Sequence, residues 1–88
     1  MQHFVRDDPG YMRWLAQHPD GFVINTYASP SAAYLKLHRA SCFHISRLQR
    51  NATTFTGGEY SKLCGDRDEL EQVAQRLGGT PQRCTNCP

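Results

Sequence analysis

"LHRASC", Leu37 to Cys42, and "RCTNCP", Arg83 to Pro88, are the two stretches on which the reading of this chain turns. His38 and Cys42 are separated by three residues, and Cys84 and Cys87 by two, at the carboxyl end. Zinc takes four ligands from thiolate and imidazole. They commonly come as two close pairs on separate segments, because one tight turn can aim two side chains at one ion. His38-x3-Cys42 and Cys84-x2-Cys87 have that form. An ion held there would tie the middle of the chain to its end. Closing so long a loop restricts the unfolded ensemble, and the metal–ligand bonds add folding free energy directly.

Other donors compete for the same ion. Cys42-Phe43-His44 also puts two donors close together, although extended backbone crowds side chains at that spacing and favours His38. Cys64, in "KLCG", reads as a core thiol, and its place at a strand end keeps it a candidate for one of the four positions. Disulfides and separate thiols are the remaining readings. The start, "MQHFVRDDPGYM", lacks the apolar core of a signal peptide, and no run approaches the ~18 apolar residues of a membrane span. A cytoplasmic protein without membrane contact is expected, and there thiols stay reduced. That favours a structural Zn2+ over disulfides.

Catalysis finds little support in the pattern. A catalytic metal keeps an open position, whereas four protein ligands fill this one. The H-E-x-x-H and H-x-E…P-C-x-x-C signatures do not occur, nor does a phosphate-binding glycine loop. A Cys42 nucleophile beside His44 or His38 is the enzymatic reading that remains. The expectation is no catalytic residue and no enzyme.

With 88 residues, the chain has room for one small core, of the size that usually needs a staple. Charges are 20% of the residues with both signs mixed, which argues against a disordered tail. "DDPGYMRWLAQHPDG" reads as a short helix with Asp8 as cap and Pro9 in its first turn, and Tyr11, Leu15 and His18, with Trp14 beside them, form one apolar face. Phe22 to Tyr27 reads as a strand. "AYLKLH" is a second, with Leu35 and Leu37 on one face and Tyr34, Lys36 and His38 on the other. Cys42 to Leu48 suits a helical turn, and residues 51–58 a loop. "EYSKLCG" is a third strand. "DRDELEQVAQRLGG" is a helix with Asp66 and Glu69 as a capping box and Leu70, Val73, Ala74 and Leu77 as its stripe, closed by Gly78 or Gly79. The fold class expected is α+β: a three-stranded antiparallel sheet with an amino-terminal and a carboxyl-terminal helix. Residues 1–88 form one zinc-binding domain, of the kind excised from a larger protein.

Charge points to a partner. Lys36, Arg39, Arg47, Arg50 and Lys62 stand between Ala32 and Cys64 against Glu59 alone. A local positive field favours a polyanion, although a solvated surface carries such charges as readily. The DNA reading gives phosphate contacts to Arg39, Arg47, Arg50 and Lys62, aided by hydroxyls such as Thr54. Tyr34, Phe43 and Tyr60 are the nearby aromatics for stacking. A different class of function, a protein–protein or dimerisation adaptor, rests on exposed Trp14, Tyr11, Tyr27 and Phe4.

H-R-A-S-C followed by a strand, a helix and "GGTPQRCTNCP" resembles the metal-binding domain of the Ada DNA-repair protein and its relatives, over roughly residues 34–88. Here His38 stands where that family's first thiolate would be, so its alkyl-accepting chemistry is not carried over. The longer run "HPDGFVINTY…YLKLHRASCFHI…TTFTGGEYSKLC" resembles small modules that accompany HNH nuclease domains in restriction systems cutting modified DNA. That resemblance implies a DNA-reading module, with cleavage left to a linked nuclease domain.

Overall fold

The computed structural model describes residues 1–48, 52–85 and 87. The chain opens with strand β1, Gln2–Phe4. Asp7, rather than Asp8, caps the first helix: its carboxylate accepts the Gly10 N–H at 3.0 Å. Helix α1, Asp8–Gln17, carries Asp8 and Pro9 in its first turn, where proline has no hydrogen bond to lose. A Cβ on Gly10 would collide with the Asp7 carboxylate, so only glycine leaves room for that cap.

Strand β2, Phe22–Tyr27, lies as expected. Strand β3 is shorter than "AYLKLH" and covers Lys36–Arg39. One turn of helix, α2, Phe43–Ser46, follows Cys42. Strand β4 is Tyr60–Gly65. Helix α3, Arg67–Arg76, has the full capping box between Asp66 and Glu69. It ends where Gly78 takes φ of +86°, a conformation glycine adopts without the Cβ clash. Strand β5, Gln82–Arg83, completes the set.

The sheet corrects the sequence expectation. Among the described residues it has five strands in the order β1-β4-β2-β3-β5, not three, and it is mixed rather than antiparallel. β1, β2, β3 and β4 pair antiparallel, while β5 runs parallel to β3. Both added strands sit at edges and are too short to show alternation. β1 buries Phe4 alone, and β5 buries nothing. Hydrogen bonds from Gln82 N to Leu35 O, 2.8 Å, and from Cys84 N to Leu37 O, 2.9 Å, fix β5 to the sheet.

Alternation along β2 and β4 sends side chains to two cores. Val23 and Cys64 join Phe4, Tyr11, Trp14, Leu15, Ala40, Cys42 and Ile45 on the α1 face. Ile24 and Leu63 join Leu35, Leu37, Leu70 and Ala74 on the α3 face. Val23 opposes both His38 and Cys64, and Asn25 opposes both Lys36 and Lys62. His38, Asn25, Lys36 and Lys62 therefore share the α1 face, where the Lys62 ammonium lies over the Tyr11 ring.

Candidate metal centre

His38 rises from β3, paired there with Val23 of β2. Cys42 follows a turn closed by its own N–H to Arg39 O at 2.9 Å, and its carbonyl then accepts from Ile45 and Ser46 to start α2. β5 delivers Cys84 beside Leu37, and the final turn returns Cys87. The result gathers one imidazole and three thiols whose ligand atoms all lie within 4.8 Å of one another. Cys87 Sγ stands 3.7 Å from His38 Nδ1. His38 and Cys42 are buried, and Cys84 and Cys87 are partly so. Among the described residues no disulfide joins any cysteines. Three sulfurs and one nitrogen at this separation suit a metal ion such as zinc.

Burial, more than any neighbour, holds the His38 imidazole well below its usual range, to about 4, with the positive fields of His44, Lys36 and Lys62 acting in the same direction. At neutral pH the ring is uncharged and keeps a lone pair for a cation. The Cys87 thiol is pushed up to about 12, by burial first and then by Cys42 and Cys84, against a lowering hydrogen bond from the Arg39 backbone. A bound cation would displace the thiol proton and hold the Cys87 sulfur as a thiolate.

The competing donors fall outside the cluster. Cys64 is fully buried on β4, and burial pushes its thiol up to about 12 against the lowering field of Lys62. It is a core side chain. His44 lies beside the exposed ring of Phe43 and lines two surface cavities instead.

Two cavities border the cluster, and a third adjoins the second. The first, about 170 Å3, is lined by Arg39, Arg67, Arg83, His38, Cys84 and Cys87 with Phe22 and Leu37. The second, about 250 Å3, shares His38 and Cys84 with it and adds Asn25, Tyr34, Lys36 and His44. The third, about 190 Å3, shares Asn25 and His44 with the second and adds Arg47, Thr54, Tyr60 and Lys62. Among the described residues no aspartate or glutamate lines any of the three. A separate cavity of about 520 Å3 has the opposite character, with Asp20, Asp66 and Glu69 around stacked Trp14 and His18.

The sequence-derived DNA set divides along this track. Tyr34, Arg47 and Thr54 sit at the second and third cavities, and Arg39 at the first. Arg50 lies outside the described residues. Lys62 is 5% exposed. Its ammonium donates to Asn25 Oδ1 at 2.9 Å and Phe55 O at 2.7 Å, above the Tyr11 ring. This lysine is an internal brace, and the expected phosphate contact is corrected accordingly. Thr54 is tied as well: it donates to Asp8 Oδ2 and accepts from the Gly57 N–H. Tyr34 packs with Tyr27 and Tyr60 in one aromatic group. Phe43, named among the aromatics near the basic set, is 52% exposed.

Arg67 and Arg83 were missed as neighbours of Arg39. They come from an acid-rich segment and a short tail, so nothing local in the sequence marks them. Asn25 was missed because it reads as one residue of an apolar strand.

Comparison with protein-family models, with curated proteins and with solved structures returns no match for this chain. Among the described residues no helix is long and apolar enough to cross a membrane.

Proposed function

We propose that the chain is a zinc-stapled DNA-binding module without catalysis of its own. Zinc fits the donor set. A tetrahedral ion with bonds of about 2.3 Å to sulfur and 2.0–2.1 Å to nitrogen puts its ligand atoms roughly 3.6–3.8 Å apart, and Cys87 Sγ to His38 Nδ1 is 3.7 Å. A ligand from β3, one from the turn after it and two from the tail would lock the short β5 edge in place. A domain this small draws on such a staple for stability.

The observation that carries the DNA reading is the run of three linked cavities. Basic side chains and the hydroxylated aromatics Tyr34 and Tyr60 line it, and among the described residues carboxylates do not. Cations track a phosphate backbone, and tyrosine rings offer bases a stacking surface without sequence preference. The finer proposal, a recognition module for modified DNA linked to an HNH nuclease domain, rests on the sequence resemblance alone. The adaptor reading loses Phe4, Tyr11 and Trp14, which are core. It keeps Tyr27, now beside exposed Tyr60.

Titrating the zinc-loaded protein into labelled duplex and single-stranded oligonucleotides over a salt series tests the proposal. Binding that falls steeply with salt, and weakens in Arg47→Ala and Tyr60→Ala while zinc is retained, supports it. No binding to either at low salt overturns it. Self-association that survives high salt would favour the adaptor.

A further inference from the structure

Arg39 stands apart from the other residues expected to meet DNA, and its actual companions are Arg67 and Arg83. We propose that these three arginines, at the cavity between β3, β5 and the start of α3, form a clamp for a single phosphate group. The inference rests on the nucleic-acid reading for its preferred source, a backbone phosphodiester, and on the cavity itself for its chemistry.

The three side chains come from distant segments. Arg39 ends β3, Arg83 lies on β5 where that strand pairs with Leu37, and Arg67 opens α3. Each is permanently charged and offers a planar fork of donors matched to oxyanion geometry. Arg67 gives its Nε to Glu71 at 3.0 Å, which leaves its two terminal nitrogens. Among the described residues no carboxylate pairs with Arg39 or Arg83. Arg39 is instead set over the Phe22 ring, 5.8 Å from its centroid, an arrangement that positions the guanidinium without neutralising it. The cavity they share holds about 170 Å3. At about 30 Å3 per water, that is room for a tetrahedral group of four oxygens.

The adjacent thiolates offer a competing reason for so much positive charge. A divalent ion with three thiolates and a neutral imidazole carries a net charge of about −1. Glu71 supplies another negative charge. Three guanidiniums exceed the two by about one charge, which is that of a phosphodiester. The cavity shares His38 and Cys84 with the neighbouring one lined by Lys36 and Tyr34. A strand gripped here would continue along the rest of the track.

The test uses the zinc-loaded protein and the double variant Arg67→Gln/Arg83→Gln, both sites being exposed. Three quantities are read: zinc content, oligonucleotide affinity over a salt series, and the arginine Nε–Hε signals during titration with inorganic phosphate. The clamp predicts unchanged zinc, affinity lower by about tenfold, and a salt slope smaller by about one, as for one lost phosphate contact. Oligonucleotide binding that is equal in variant and parent overturns the clamp and leaves the DNA reading standing. If no oligonucleotide binds, but phosphate shifts the parent's arginine signals and not the variant's, the DNA reading falls and the clamp stands as a small-phosphate site. Loss of zinc in the variant without any phosphate response in the parent assigns the arginines to the thiolates and overturns the clamp.

Discussion

Asp8 holds the loop that walls the third cavity, and removing its carboxylate gives a prediction that can be worked through. Its Oδ2 accepts the Thr54 hydroxyl at 2.8 Å and the Phe55 N–H at 2.9 Å. Its Oδ1 accepts the Thr56 N–H at 2.8 Å and the Thr56 hydroxyl. Burial alone would raise its pKa. The hydrogen bonds from Thr56, Phe55 and Thr54 outweigh burial and hold the carboxyl at about 2. That displacement from 3.8 corresponds to about 2 kcal/mol, and to about 1 kcal/mol once solvent screening of a partly exposed group is allowed for. Asp8→Ala also leaves two backbone N–H groups without their acceptor, at about 1 kcal/mol each. These are the bonds that depress the pKa, so the two figures describe one interaction, and the expected cost is about 2 kcal/mol, a fall in melting temperature of roughly 8–16 °C for a domain of this size.

The pH dependence fixes the cause. A carboxyl with a depressed folded pKa contributes fully above its unfolded value, and the contribution is lost as pH falls from about 4 toward 2. Denaturant melts of parent and Asp8→Asn should therefore differ by a constant amount from pH 5 to 7 and converge below pH 4. Acid also protonates the metal ligands, so the narrowing is read only over the pH range in which zinc content, followed in the same samples, shows the ion retained by both proteins. A cost under about 1 kcal/mol for Asp8→Ala, or a parent–variant gap that does not narrow in acid, would refute this account of the loop.

Cys64→Ala should keep one zinc per chain and lose about 1–2 kcal/mol of stability through the small cavity it leaves, checked by metal analysis and chemical melts. Lys62→Met should cost about 2 kcal/mol, because Phe55 O and Asn25 Oδ1 lose their donor. Since that ammonium is internal, the salt slope of oligonucleotide binding should stay at the parent's value. A slope lower by about one would return Lys62 to the phosphate face.

The His38/Cys42 and Cys84/Cys87 pairs of the candidate metal centre were legible because ligand spacing is a local property: a turn that converges two side chains leaves its mark within five residues. α3 was legible for the same reason, with Asp66, Glu69 and a stripe of four apolar residues inside one segment. The edges of the sheet were not. Gln82–Arg83 is a strand only because Leu35 and Leu37 present carbonyls to it, and its own side chains carry no pattern. Lys62 alternates correctly with Leu63 and reads as a surface cation. Its burial depends on Phe55 and Asn25, which no spacing rule connects to it. The Arg39, Arg67 and Arg83 cluster is likewise a product of topology, since the parallel β3–β5 pairing sets Arg83 beside Leu37, two residues from Arg39.

X-ray absorption at the zinc edge, on protein purified without added metal and found to carry one ion per chain, tests the central claim most directly. The account predicts a four-coordinate shell of three sulfurs at about 2.3 Å and one nitrogen at 2.0–2.1 Å, lost together with the folded state on chelation. Protein that folds without metal, or a shell of four sulfurs in which Cys64 has taken the place of His38, would contradict it.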